Sequence, residues 1–128
     1  MSEMLGNKYL MDKKHEKAVD EFRNSLRNGN GEFSTRCHLL LALMSSGNEE
    51  QALRECISIL ETEEVRTLED IRKNCEVFLP VLNADVNQGL YHMVKGNMEK
   101  TLEIFSIRED ELSIKIFNHL KTMQIKGE

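Results

Sequence analysis

Apolar residues near the start of the chain recur at the spacing of two short helices that pack together. Leu5 and Tyr9 lie four residues apart on one helical face, and Gly6 beside them lets a partner helix come close. The next stretch repeats apolar residues at i, i+4 and i+8, namely Ala18, Phe22 and Leu26. The pattern predicts a helical hairpin.

This pattern returns twice further along the chain. Ala52 follows Ala18 by 34 residues (52 − 18), so the first two copies share a fixed spacing. Thr101 takes the equivalent place in a third copy and follows Ala52 by 49 residues (101 − 52). The difference predicts an insertion of 15 residues (49 − 34) between the second and third copies.

The copies differ in how well they keep the first one's pattern. Gly89 and Phe105 stand in the third copy where the first has a glycine and a phenylalanine. The second copy instead has Leu40 in place of the glycine and Cys56 in place of the aromatic residue, and the third has Arg108 where a small residue is expected. The first hairpin is therefore the best specified of the three.

These residues resemble the tetratricopeptide repeat, a 34-residue helical hairpin with Leu-Gly on its first helix and a small residue and an aromatic residue on its second. The resemblance implies an all-α fold, a right-handed superhelix of antiparallel helical hairpins that ends in a C-terminal capping helix. The whole chain then forms one domain, with approximate parts as follows: repeat 1 over 1–32, repeat 2 over 33–66, an inserted helix over 67–80, repeat 3 over 82–108 and the capping helix over 109–126.

The insertion has its own helix signals. Thr67 is a suitable N-cap followed by acidic residues, and an apolar stripe then continues at helical spacing as far as Pro80. This predicts an extra helix from Thr67 to Leu79 that ends before the proline. One long helix kinked at Pro80 is an alternative, because Leu82 and Val86 continue the stripe.

The last predicted helix is half polar. It begins at Glu109-Asp110-Glu111 and carries Leu112, Ile116 and Leu120 on one face. A helix of this kind is expected to close the open end of a repeat array. Its apolar stripe could alternatively bind a partner.

The composition is typical of a helical protein, and its charge limits which classes of partner are expected. The chain of 128 residues has one Pro, no Trp, 40% hydrophobic and 30% charged residues, and a net charge of −5. Basic residues are interspersed with acidic ones, so neither nucleic acid nor an anionic membrane is expected as a partner. No apolar run is long enough for a membrane span and no signal segment begins the chain, which predicts a cytoplasmic or nuclear protein.

Motifs for catalysis or cofactor binding are not found. Cys37, Cys56 and Cys75 have no CxxC spacing, which favours reduced and packed thiols, and the four histidines lack the spacing of a zinc site. The stretch Asn28-Gly29-Asn30-Gly31 lacks the features of a nucleotide-binding loop and is interpreted as the turn between repeats 1 and 2. We therefore predict neither an enzyme nor a bound cofactor.

In the family, the first helices of successive hairpins line a concave groove, and the repeat spacing carries these positions onto this chain. We call the resulting set the predicted groove: Met4, Asn7, Leu10, Met11, His38, Leu41, Met44, Asn87, Leu90 and Met93. It is apolar and rich in methionine, whose flexible side chain adapts to irregular partners. Such a lining suits an apolar helical or extended segment of another protein. Part of it could instead pack on the insertion or on the last helix.

Two functions of different class follow. The first is a non-catalytic adaptor or assembly subunit that binds a segment of a partner protein. The second is a structural or regulatory module that self-associates, for example as a homodimer, or docks within a larger chain. The family's clamp for chaperone C-termini is disfavoured, because only Asn7 matches it and Glu3, in place of its first Lys, would repel the carboxylates.

Overall fold

The computed structural model describes residues 2–29 and 32–127, and within them the chain is helical with no strand. The all-α class predicted from the sequence is confirmed. The helices are α1 (Ser2–Met11), α2 (His15–Arg27), α3 (Phe33–Ser45), α4 (Glu49–Leu60), α5 (Leu68–Cys75), a 3-10 helix (Glu76–Val81), α6 (Gln88–Val94), α7 (Met98–Ser106) and α8 (Glu111–Lys126). Asn30 and Gly31, part of the turn expected between repeats 1 and 2, lie outside the described residues.

Three pairs of consecutive helices pack on each other as hairpins: α1 with α2, α3 with α4, and α6 with α7. Short turns at residues 12–14, 46–48 and 95–97 join the two helices of each pair, so the second helix runs back along the first. The chain reverses through a backbone bond to the carbonyl five residues earlier in each turn: Lys14 to Tyr9 (2.8 Å), Asn48 to Leu43 (3.2 Å) and Asn97 to His92 (2.9 Å).

The backbone of the three turns also repeats in its dihedral angles. Lys13, Gly47 and Gly96 take positive φ values of 60°, 85° and 81°. Gly47 lies 34 residues after Lys13 (47 − 13) and Gly96 lies 49 after Gly47 (96 − 47), the same two spacings that relate the apolar residues. The three hairpins therefore share one turn geometry, in register with the sequence pattern.

Glycine and phenylalanine face each other in the first and third hairpins. A Cβ atom at Gly6 would lie 2.5 Å from the ring of Phe22, and one at Gly89 would lie 2.7 Å from the ring of Phe105. Neither contact leaves room for a methyl group, which explains the glycines. Leu5 packs less closely than the spacing predicts, since it is 39% exposed.

In the middle hairpin, the sizes of the side chains at the glycine and phenylalanine positions are exchanged between the two helices. Leu40 occupies the glycine position on the first helix and Cys56 the aromatic position on the second, and both are fully buried. A larger side chain at one of the two equivalent positions thus comes with a smaller one at the other, so the combined volume changes less than either substitution alone would change it. The two departures from the repeat pattern compensate for each other.

The insertion differs from the predicted helix. It begins as expected after Thr67, where the Asp70 carboxylate accepts the backbone N–H groups of Arg66 (2.8 Å) and Thr67 (3.1 Å). The α-helix ends at Cys75, however, and a 3-10 helix containing Pro80 follows. Proline at this place has no N–H and its ring crowds the carbonyl four residues earlier, so neither the helix to Leu79 nor the long kinked helix forms.

Helix α5 packs against α3 and α6, and the 3-10 helix packs against α5 and α1. Helix α8 packs on α4 and α7. Its start agrees with the sequence, since the Asp110 carboxylate accepts the backbone N–H of Ser113 at 3.0 Å. Within the described ranges, none of the helices combines the length and the apolar character that crossing a bilayer requires.

Candidate functional site

Most of the predicted groove lies inside the protein. Six of its residues are at most 8% exposed: Leu10, His38, Leu41, Met44, Leu90 and Met93. Asn7 and Asn87 are half-buried. Met4 and Met11, both on α1, are 73% and 46% exposed and are the most exposed residues of the set.

The insertion packs on the predicted groove at His38. The edge of the His38 ring meets Phe78 of the 3-10 helix at 4.9 Å between centroids, and Phe22 of the first hairpin lies 5.9 Å away. Nε2 of His38 lies 2.9 Å from the backbone carbonyl of Asn74 in α5. Because a carbonyl can only accept, His38 donates from Nε2.

Burial sets the charge of His38. Desolvation lowers the pKa of His38, although the Asn74 carbonyl and the charge of Glu3 act to raise it. Nδ1 has no hydrogen-bond partner among the described residues, so a proton added there would be buried without an acceptor. The contact with the insertion is therefore built around a neutral histidine.

Further polar contacts fasten the insertion at both ends. The Cys75 thiol interacts with Cys37 of α3, and this interaction, followed by burial, raises the pKa of Cys75. Beyond the 3-10 helix, the Asn83 amide donates to the backbone carbonyl of Ser45. Each of these contacts joins the insertion to α3, the first helix of the second hairpin.

The buried side of the insertion is a single apolar stripe. Leu68, Ile71, Cys75 and Phe78 are at most 5% exposed, at the spacing i, i+3, i+7 and i+10. Val77 next to this stripe is 60% exposed. The insertion thus lies on the groove residues as a short amphipathic segment, with one face bound and the other in solvent.

The groove residues of the third hairpin have other roles in the fold. Asn87 is the N-cap of α6, where its side chain accepts the backbone N–H of Leu90 at 2.9 Å. Met93 points toward α4, since its sulfur lies 3.4 Å from the thiol of Cys56. Helix α6 therefore starts at Gln88, and residues 82–87, which the repeat spacing assigns to this helix, precede it.

The first hairpin leaves the groove open at its end. Met4 and Met11 correspond by the 34-residue spacing to His38 and Ser45, which are both buried beside the insertion. The Oδ1 atom of Asn7, between the two methionines, is buried and has no hydrogen-bond partner among the described residues. Two apolar side chains, Met4 and Met11, are thus exposed at this end.

The next feature is the arrangement of metal-binding and thiol side chains in the part of the chain that the structure describes. No group of three or more His, Cys, Asp or Glu side chains there is arranged to hold a metal ion. The three cysteines are free and buried, in agreement with the packed thiols expected from the sequence. The sequence patterns did not identify Asn74 and Phe78 as contacts of the groove, whereas the repeat spacing had placed Asn83 in its lining.

Comparison of this chain with protein-family models, with curated proteins and with solved structures gave no match in any of the three.

Proposed function

We propose that this chain is a non-catalytic protein-interaction module of the tetratricopeptide type, an adaptor or assembly subunit. It binds an apolar helical or extended segment of a partner protein along the predicted groove. The insertion sits on this groove at His38, so a partner segment that binds there displaces it.

The observation that carries the proposal is the contact of His38 with Phe78 and Asn74. An apolar segment with an aromatic side chain already sits on the groove residues, held by one ring contact and one hydrogen bond to its backbone. Backbone recognition of this kind does not depend on the segment's sequence. The groove is thus suited to segments with apolar residues at the spacing of Leu68, Ile71 and Phe78.

The insertion is part of the same chain and competes with the partner segment for the groove, so it determines how tightly the partner binds. A tethered ligand acts at an effective concentration of the order of millimolar, so it masks the groove against weaker partners. A partner then binds with an affinity reduced by the fraction of molecules in which the groove is closed. Loosening the insertion is expected to increase the affinity of the groove for any matching segment.

The test uses the insertion's own sequence as a probe. A fluorescent peptide of residues 67–83 is titrated under reducing conditions with the wild type, with Phe78→Ala and with Val77→Ala. Phe78 is 5% exposed, so its loss weakens the attached segment, and we expect the peptide to bind Phe78→Ala at least about tenfold more tightly than the wild type. Val77→Ala, one residue away and exposed, is the matched control and should behave as the wild type.

Circular dichroism first establishes that both variants keep the helical content of the wild type. A peptide with the same composition in scrambled order should not bind. If the folded Phe78→Ala protein fails to bind the 67–83 peptide, the groove does not accept apolar segments and the proposal is wrong.

Self-association is a second candidate, favoured by the apolar side chains that α1 leaves exposed. Met4 and Met11 at the open end of the groove would be covered in a dimer. We expect the mass measured by sedimentation to rise with concentration for the wild type and for Ile107→Lys, an exposed control on another surface, but not for Met4→Lys/Met11→Lys. A wild type of constant mass would exclude this candidate.

A further inference from the structure

A second concave site lies away from the predicted groove, between the end of α4, the loop 61–67 and helix α8. It is a cleft of about 850 Å³. Leu60, Val65 and Met123 supply its apolar lining. None of its lining residues belongs to the predicted groove or to helix α5.

The charged side chains that line this cleft are all basic. Arg66 reaches it from the loop, and Lys115 and Lys126 reach it from α8. Among the described residues no Asp or Glu lines it, although the whole chain carries a net charge of −5. The cleft therefore differs in charge from the rest of the molecule.

Nearby acidic residues neutralise only part of this charge. Glu111 lies 3.6 Å from Lys115, and Glu61 lies 3.5 Å from His119, a further lining residue. Among residues 2–29 and 32–127, neither Arg66 nor Lys126 has a carboxylate within ion-pair distance, although the charge of Arg66 also acts on Asp70. The exposed Glu63 and Glu64 of the same loop are not part of the lining. Two cations thus remain available to a ligand.

The basic groups of α8 form a row along one face of the helix together with one threonine. Lys115, His119, Thr122 and Lys126 follow one another at i, i+4, i+7 and i+11, and all four line the cleft. At 1.5 Å per residue this row is about 16 Å long. An extended peptide rises about 3.3 Å per residue, so about five residues would span it.

We propose that this cleft binds an extended acidic peptide segment of a partner protein. Carboxylates of the peptide pair with Arg66 and Lys126, while apolar side chains between them pack on Leu60, Val65 and Met123. Charge complementarity selects the ligand, because the lining offers cations and an apolar surface together. The length of the row favours a peptide over a small anion, which could reach only one end of it.

The experiment measures fluorescence anisotropy of a labelled hexapeptide of alternating Asp and Leu residues with the full chain. We expect saturable binding that weakens as salt is raised. Arg66→Glu/Lys126→Glu should bind at least about tenfold more weakly. Lys121→Glu makes the same kind of charge change at an exposed position of α8 outside the lining, and it should stay within about twofold of the wild type.

Several results would overturn the proposal. One is equal binding of a Lys and Leu hexapeptide, which would mean that charge does not select the ligand. Another is an equal loss of peptide affinity in Lys121→Glu, which would mean that binding depends on the net charge of the protein and not on the cleft. Binding to vesicles with anionic lipid but not to the acidic peptide would assign the basic row to a membrane. If the charge reversals disturb folding, Arg66→Gln/Lys126→Gln replaces them and should still weaken binding by about fivefold.

Discussion

Lys13 has a backbone conformation that suits glycine. Its φ is 60°, and the equivalent residues of the other two hairpins are Gly47 and Gly96. A residue with a side chain loses roughly 1–2 kcal/mol in this left-handed region. The turn imposes the conformation, because the next residue, Lys14, bonds to the carbonyl of Tyr9.

We expect Lys13→Gly to raise the free energy of unfolding by about 1 kcal/mol, since relief of the strain exceeds the entropy that glycine adds to the unfolded chain. Urea unfolding measures the change. Lys14→Gly is the control: Lys14 has a φ of −94°, so glycine there should lower stability. A Lys13→Gly protein no more stable than the wild type would contradict the shared turn geometry.

His38 makes the seating of the insertion sensitive to pH. Burial lowers its pKa from the ordinary 6.5, so between the lowered pKa and 6.5 the unfolded chain binds the proton and the folded chain does not. The stabilisation is complete above pH 6.5 and is lost as the pH falls through this window. Burial lowers the pKa of His15 and His92 in the same direction, so the wild type responds through more than one histidine.

The variant His38→Gln isolates the contribution of His38 to the pH dependence of stability. Glutamine keeps an N–H that can donate to the Asn74 carbonyl but takes up no proton. We expect its free energy of unfolding to fall less steeply than that of the wild type between pH 7 and pH 5, by up to about 1.4 kcal/mol per pH unit. Urea unfolding at several pH values gives both slopes, and equal slopes would show that His38 does not control them.

At the scale of elements, the sequence predicted those helices and turns that depend on residues close together in the chain. The hairpins were found because their turns and their glycine and aromatic pairs are set by residues close in the chain. Asp110 likewise marked the start of α8, since an N-cap needs only the N–H groups of the next turn. The exchange of sizes between Leu40 and Cys56 was seen as two separate departures, because sequence does not reveal that they compensate.

The insertion was harder to predict. Its apolar stripe is the face that packs, but the stripe does not distinguish an α-helix from an α-helix followed by a 3-10 helix. Pro80 was expected to end the helix just before itself, whereas the α-helix ends earlier, at Cys75, and a 3-10 helix that contains the proline follows. Asn87 then caps α6, and this shortens the helix that the repeat spacing assigned there.

The surroundings of the groove could not be read from spacing. Leu41 and Met44 are apolar whether they face a partner or the insertion, so their pattern is the same in both cases. The basic cleft was missed for a related reason. Arg66 and Lys126 lie far apart in the sequence, and only the packing of α8 on α4 brings their elements together.

At the scale of the whole molecule, the hairpins and the insertion are held in different ways. The first two hairpins pack through helices of 10 to 13 residues, and α3 alone buries nine consecutive residues from Cys37 to Ser45. The insertion adds one short apolar stripe and a few polar contacts through His38, Asn83 and Cys75. Such a segment is expected to open locally at a lower free energy than the hairpins unfold.

Amide hydrogen exchange of the wild type beside Phe78→Ala tests most directly whether the insertion is a separable segment seated on the groove. We expect the amides of 70–81 to exchange through local opening in the wild type, faster than those in the middle of α3 and α4. Phe78→Ala should speed exchange in 70–81 by at least about tenfold and leave the protection of α3 and α4 nearly unchanged. Exchange of 70–81 only together with α3 and α4, in both proteins, would make the insertion part of one cooperative core and contradict its role as an internal ligand of the groove.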